Sequence, residues 1–246
     1  MALRVYVSPH LDDAVFSCGG LIARQKARGD EVVVITVCGG DPPMGELTPF
    51  AYDLHRRWGG EGSPMGLRRA EDHVACGRLG ASVVHLPIPD AIYRRSAQGE
   101  AFYPDNGSLF GAMAAGDSGR IDEAAAALER AVPPESEIYL PLGIGGHVDH
   151  LLTRRAAERL VHPRWYYRDL PYALGDPPRV TVNPPEHATE ASITLAEEEI
   201  EIWIAAAGEY HSQLSSFWPD YESLEADLRS FHDHFAGIPL LRAAAS

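Results

Sequence analysis

Cysteine is scarce in this chain: Cys18, Cys38 and Cys76 are its three, with no C-x-x-C spacing among them. An odd, scattered set excludes a disulfide framework and suits a reducing cytoplasm. Each is read as a small buried residue, with Cys18 near enough to the motif described below to line a pocket. No run of eighteen or more apolar residues occurs, so no membrane span is expected. The first residues, MALRVYV, lack a long apolar h-region with a small-residue cleavage site and read as a strand rather than a signal peptide. Positive charge is also in short supply. The 21 Lys and Arg against 35 Asp and Glu leave a formal charge of −14, a field that repels nucleic-acid phosphates and anionic lipid. Neither G-x-G-x-x-G nor G-x-x-x-x-G-K-[ST] is present, so a nucleotide-binding module rests on Gly19-Gly20 alone.

What remains is an ordinary globular composition, 45% apolar and 23% charged over 246 residues. That is ample for a sizeable core and reads as a single domain over 1–246. Apolar, β-branched runs predict strands at 3–8, 31–38, 81–86 and 137–142. Helical spacing predicts helices at 17–28, 67–79, 120–131 and 148–161. Strands alternating with helices imply an α/β fold: a Rossmann-like open, mostly parallel sheet with helices on both faces. After residue 163 the pattern changes to short strands at 164–168 and 179–182, then helices at 196–213 and 220–234. The C-terminal part is therefore a modified one. The acidic triplet Glu197-Glu198-Glu199 suits a helix first turn better than a metal site. Residues 39–64 and 87–117 read as long irregular segments where specificity resides.

Two clusters carry chemistry. The first strand ends at Ser8 and is followed by Pro9-His10-Leu11-Asp12-Asp13. Ligands bind beyond the carboxyl ends of strands in open α/β sheets, and adjacent carboxylates need a cation or proton to relieve their repulsion. Zinc accepts His nitrogen and Asp oxygen and leaves a position for water in catalytic sites. One carboxylate can then bind the metal while its neighbour serves as general base. The bland alternative is an Asp that merely caps a helix. The fourth strand is followed by Gly145-Gly146-His147-Val148-Asp149-His150. Here His147 and His150 share a helix face, and Asp149 can bind a ring N–H of a neighbouring His. The bland alternative is a polar surface turn.

Ser8-Pro9-His10-Leu11-Asp12-Asp13-Ala14 together with Gly146-His147-Val148-Asp149-His150 resembles the PIG-L/LmbE family of zinc-dependent N-deacetylases. Further matches are Arg68 and Glu71 with Ala75 and Leu79-Gly80, the stretch Trp165 to Tyr172 ending in Pro171-Tyr172, and Ser212-Gln213. The resemblance implies an LmbE-like fold with zinc bound by His10, Asp13 and His150; such ligands do not fix the metal and also suit another divalent ion such as ferrous iron. It implies that Asp12 is the general base, that His147 protonates the leaving amine or stabilises the oxyanion with Asp149 tuning it, and that Arg68 holds the substrate. The expected partner is a small N-acylated, sugar-containing molecule, with no nucleic acid and no membrane; the family often forms closed homo-oligomers, but this sequence is silent on its own oligomeric state. Leu11 and Ala14 depart from the family's common Pro and Glu; losing the Glu removes an anchor for the site. Three rivals remain: a binding module, a metal-binding regulator without turnover, and an amidase acting on a larger acyl conjugate.

Overall fold

The computed structural model describes residues 1–59, 62–174 and 182–243. Five strands form a parallel core: β1 (Leu3–Ser8), β2 (Glu31–Thr36), β3 (Ser82–His85), β4 (Glu137–Pro141) and β5 (Arg164–Tyr167), in the order β3-β2-β1-β4-β5. The registers run Leu3↔Glu31 to Ser8↔Thr36 and Arg4↔Glu137 to Tyr6↔Tyr139. β7 (Ile238–Arg242) pairs antiparallel with β5, and β6 (Thr189–Ile193) pairs antiparallel with β7. The sheet therefore has seven strands among the described residues, and its order reverses at the β1–β4 junction. A crevice opens there at the carboxyl ends of both strands, and both chemical clusters follow those two strands.

Helices cover both faces. On one, α1 (Asp13–Ala27), α3 (Pro64–Arg78) and α6 (Glu197–Ala207) contribute Phe16, Cys76 and Trp203 to a common core. On the other, α4 (Gly119–Ala131) and α5 (Val148–Ala157) contribute Leu128 and Leu152. Gly19 and Gly20 earn their place here: a Cβ at Gly19 would overlap the Trp203 ring, and one at Gly20 the Leu195 side chain. Trp203 Nε1 donates to the carbonyls of Val15 (2.8 Å) and Phe16 (3.1 Å), which satisfies its buried N–H. The glycine pair thus serves helix packing. The three cysteines are buried and unpaired. Among the described residues no helix is long and apolar enough to cross a membrane.

The structure departs from the sequence reading in several places. Residues 39–64 are not irregular throughout, since they contain α2 (Pro49–Trp58), with Thr48 Oγ1 accepting from Ala51 N at 3.0 Å. The stretch 196–213 is not one helix: α6 stops at Ala207, and α7 (His211–Phe217) begins anew. The break frees Ser212 N for a long-range partner, Glu71 Oε1 at 2.9 Å. α8 (Tyr221–Phe235) follows. β6 and β7 have no counterpart in the sequence reading, and residues 179–181 of the strand expected at 179–182 lie outside the described residues. The acidic triplet does open α6, where Glu199 Oε2 accepts from Ala196 N at 2.7 Å.

Candidate active site

All seven residues singled out in the sequence meet at this crevice, and all are buried. His10, Asp12, Asp13, Arg68 and His147 line a cavity of about 740 Å³, within the usual range of small-molecule sites. His150 and Asp149 lie beneath it.

Asp12 occupies the N-cap position of α1, but its side chain makes no capping bond. That disposes of the capping alternative: a buried carboxylate at a helix start is left free to face the cavity. Burial, and then the adjacent Asp13 charge, push the Asp12 carboxyl up to about 6, with Arg68 and His10 opposing. Asp13 behaves differently. Its Oδ2 accepts from His10 N (2.8 Å) and lies 3.1 Å from His10 Nδ1 and 3.3 Å from His150 Nε2. Burial alone would raise it, but His150 and His10 outweigh that and hold it well below the usual carboxylate range.

Each of these imidazoles has its far nitrogen held by another carboxylate. His10 Nε2 lies 3.1 Å from Asp149 Oδ2, and His150 Nδ1 lies 2.6 Å from Asp169 Oδ1. Such partners fix the tautomer and ring orientation of metal-binding histidines. Burial lowers both imidazoles, yet the surrounding carboxylates prevail: His10 is raised well above its usual value and His150 to about 9. The cluster therefore calls for a cation between these groups, either protons or a metal.

The donors fit a metal. His150 Nε2 is buried without a hydrogen-bond partner and faces Asp13 Oδ2. With Nδ1 committed to Asp169, a neutral His150 aims a lone pair at a carboxylate, an arrangement that only a cation relieves. Metal–ligand distances of about 2.0–2.2 Å in a tetrahedron separate neighbouring donors by about 3.3–3.6 Å, close to the 3.1 and 3.3 Å edges seen around Asp13. The three imidazoles of His10, His147 and His150 also offer nitrogens within 4.8 Å of one another. A second group, His10, Asp90 and Asp149, meets the same criterion, but Arg94 and Ala91 N already engage Asp149, at 2.5 and 2.9 Å.

His147 is the N-cap of α5. Its Nδ1 accepts from Asp149 N at 3.2 Å. Burial, then the charge of His10, depress it well below the usual imidazole range, so the ring is neutral and carries its proton on Nε2. The Asp149 carboxylate makes no hydrogen bond to His147, which meets only the Asp149 backbone, and lies against His10 Nε2 instead. Its charge still acts on His147, opposing the depression.

Arg68, on α3, stands 4.6 Å over the Trp58 ring, with Asp12 at 3.6 Å and Asp90 at 4.0 Å. At those distances its fork retains donors for a ligand. Phe110, Tyr172 and Phe217, whose rings meet edge to face, form an aromatic wall of the same cavity. Tyr93 and Tyr103 instead pack in a satellite core beneath the loops. His232 is buried, with Nε2 accepting from Leu195 N at 3.3 Å.

Sequence reasoning overlooked Asp90, Asp169 and Arg94. Asp90 and Asp169 follow β3 and β5 at the sheet edge that bears the two recognised motifs, so the carboxyl-end rule applied to every strand would have found them. Arg94 carries no comparable local signal.

A 2′-N-acetylparomamine deacetylase of Streptomyces fradiae is 34% identical over 68% of this chain and 56% of its own length. One from Niallia circulans is 31% identical over 68% of this chain and 66% of its own. The chain thus spans about half to two thirds of these curated relatives. A deacetylase of the teicoplanin biosynthesis pathway, solved as its bog complex, shares the fold with a TM-score of 0.83 at 24% identity over 100% of both chains. Residues 5–161 match the PIG-L family, GlcNAc-PI de-N-acetylase, and the chain belongs to that family.

Proposed function

We propose that this protein hydrolyses the acetamide of an N-acetylated amino sugar, releasing acetate and the free amine, with a divalent metal held by His10, Asp13 and His150. The division of labour between adjacent aspartates carries this reading: Asp13 is gripped by two imidazoles, while Asp12 caps nothing and opens onto the cavity. The paromamine deacetylase relatives support an amino-sugar substrate.

A divalent ion in this site supplies Lewis acidity, polarising an amide carbonyl and bringing the pKa of water toward about 7. Asp12, as carboxylate, takes the proton of the attacking water and returns it to the departing nitrogen. His147, neutral and protonated on Nε2, donates to the oxygen that gains charge at the acyl carbon. One such donor is worth about 100- to 1,000-fold in rate. Arg68 binds sugar hydroxyls while the aromatic wall packs against ring C–H groups. Asp149 and Asp169 hold His10 and His150 in orientation and do not touch substrate.

Zinc is the metal we assign, because two His and one Asp with an open position is a donor set it takes in catalytic sites. Ferrous iron accepts the same donors, and elemental analysis of the purified protein separates the two. The test of function is acetate release by metal-loaded protein from 2′-N-acetylparomamine and N-acetylglucosamine, beside conjugates with larger acyl groups. Acetate release that chelation abolishes and metal restores supports the proposal. Turnover of the larger conjugates alone would replace it with a broader amidase, and no turnover of any amide would leave a metal-binding module.

A further inference from the structure

Arg94 lies outside both sequence motifs, yet its side chain is fully enclosed. Its Nη1 is 2.5 Å from Asp149 Oδ1, and its Nη2 is 3.0 Å from Asp117 Oδ2. Asp117 also accepts from Tyr103 Oη at 2.8 Å, and the guanidinium stands 5.4 Å over the Tyr103 ring. Nη1 donates to Pro89 O at 3.4 Å. Asp149 spends its other oxygen on Ala91 N and His10 Nε2. One guanidinium thus joins the segment 87–117, which supplies Leu109 and Phe110 to the cavity, to the carboxylate that orients His10. The same segment touches His147, through a Phe110–His147 bridge and a 2.9 Å bond from Gly111 N to Gly146 O.

We infer that Arg94 is a positioning residue for the metal centre, holding the Asp149 carboxylate against His10 Nε2 so that His10 Nδ1 is presented beside Asp13. The inference rests on the metal site proposed above. A buried carboxylate bound to a histidine can turn toward other donors, and that releases the ring. Ion pairing of one enclosed guanidinium to both Asp149 and Asp117 holds the carboxylate in place, and the spread of the arginine head is what lets it reach both. The pocket-lining segment and the metal ligand are thereby fixed by one side chain. Docking of 87–117 and assembly of the site become a single event.

The experiment measures metal affinity by competition with a chromophoric chelator, using zinc alone as probe, in wild type, R94M, D149N and R94M/D149N. Losing the partner of a metal-binding histidine typically costs about 10- to 100-fold in affinity, and R94M is expected in that range. In the D149N background, R94M should add less than about twofold, since residues acting through one another are not additive. A merely structural role for Arg94 would lower affinity equally in both backgrounds and would overturn the inference. So would wild-type affinity in a folded R94M. Should R94M fail to fold, R94K keeps the charge but not the fork and carries the same comparison. Failure of wild type to bind metal would overturn the site itself, an outcome distinct from wild-type binding that R94M leaves unchanged.

Discussion

Replacing Asp169 by Asn keeps the shape of the side chain and changes which atoms can accept. In the native protein Oδ2 accepts from Gly143 N at 2.7 Å and Ile144 N at 2.9 Å, while Oδ1 faces His150 Nδ1 at 2.6 Å. An asparagine has one accepting oxygen and one NH₂ donor. If NH₂ faced the two loop amides, two buried donors would lose their partner, at about 1–3 kcal/mol each. The amide therefore turns its oxygen to the loop and its NH₂ to His150. His150 Nδ1 must then accept, which moves the ring proton to Nε2, the atom aimed at Asp13. That proton occupies the direction a metal needs. The expected loss is about 10- to 100-fold in metal affinity, or roughly 1.4–2.7 kcal/mol at 1.36 kcal/mol per tenfold. Chelator competition measures the affinity, nitrogen-15 shifts of the imidazole report the tautomer, and circular dichroism checks the fold. D169N that binds metal within about threefold of wild type, with the native tautomer, would refute this account of His150.

Other consequences follow from the same geometry. Asp12→Asn should retain the metal and lose about 100- to 10,000-fold in turnover, as expected for removing a general base; loss of metal from the folded variant would make Asp12 a ligand instead. Because the base must be ionised, kcat/KM should rise with pH and fall away on the acid side. The apparent midpoint lies at or below about 6, since a bound cation favours the carboxylate. A profile flat from neutrality to well below that value would remove Asp12 from this role. Gly19→Ala should destabilise by about 1–3 kcal/mol through overpacking against Trp203, outweighing the roughly 1 kcal/mol that alanine adds in helix propensity. Unchanged thermal unfolding would show that the α1–α6 contact yields readily.

Part of this was legible in the chain. β1, β2 and β4 are buried strands whose apolar runs announce themselves without tertiary help. Each motif begins just beyond a strand end, so one local rule placed His10, Asp12, Asp13, His147 and His150 at a common edge. α2 was harder to see, although Thr48-Pro49 is a helix-start signal, because glycines and prolines surround it. β7 is five residues long and contains Pro239, a composition that also suits a turn. It becomes a strand only because β5 offers it an open edge.

The sequence by itself determined the donor types, their placement after strands one and four, and the alternating frame that carries them. Only the tertiary structure decided which donor meets which. His10 and Asp149 are 139 residues apart, and Glu71 and Ser212 are 141 apart. Periodicity records whether a side chain is buried and says nothing of what it faces once buried. The partners Asp90, Asp169 and Arg94 follow from strand order and from the enclosure of a long loop. In that enclosure, unpaired charge is costly enough that each carboxylate must find a cation or a donor.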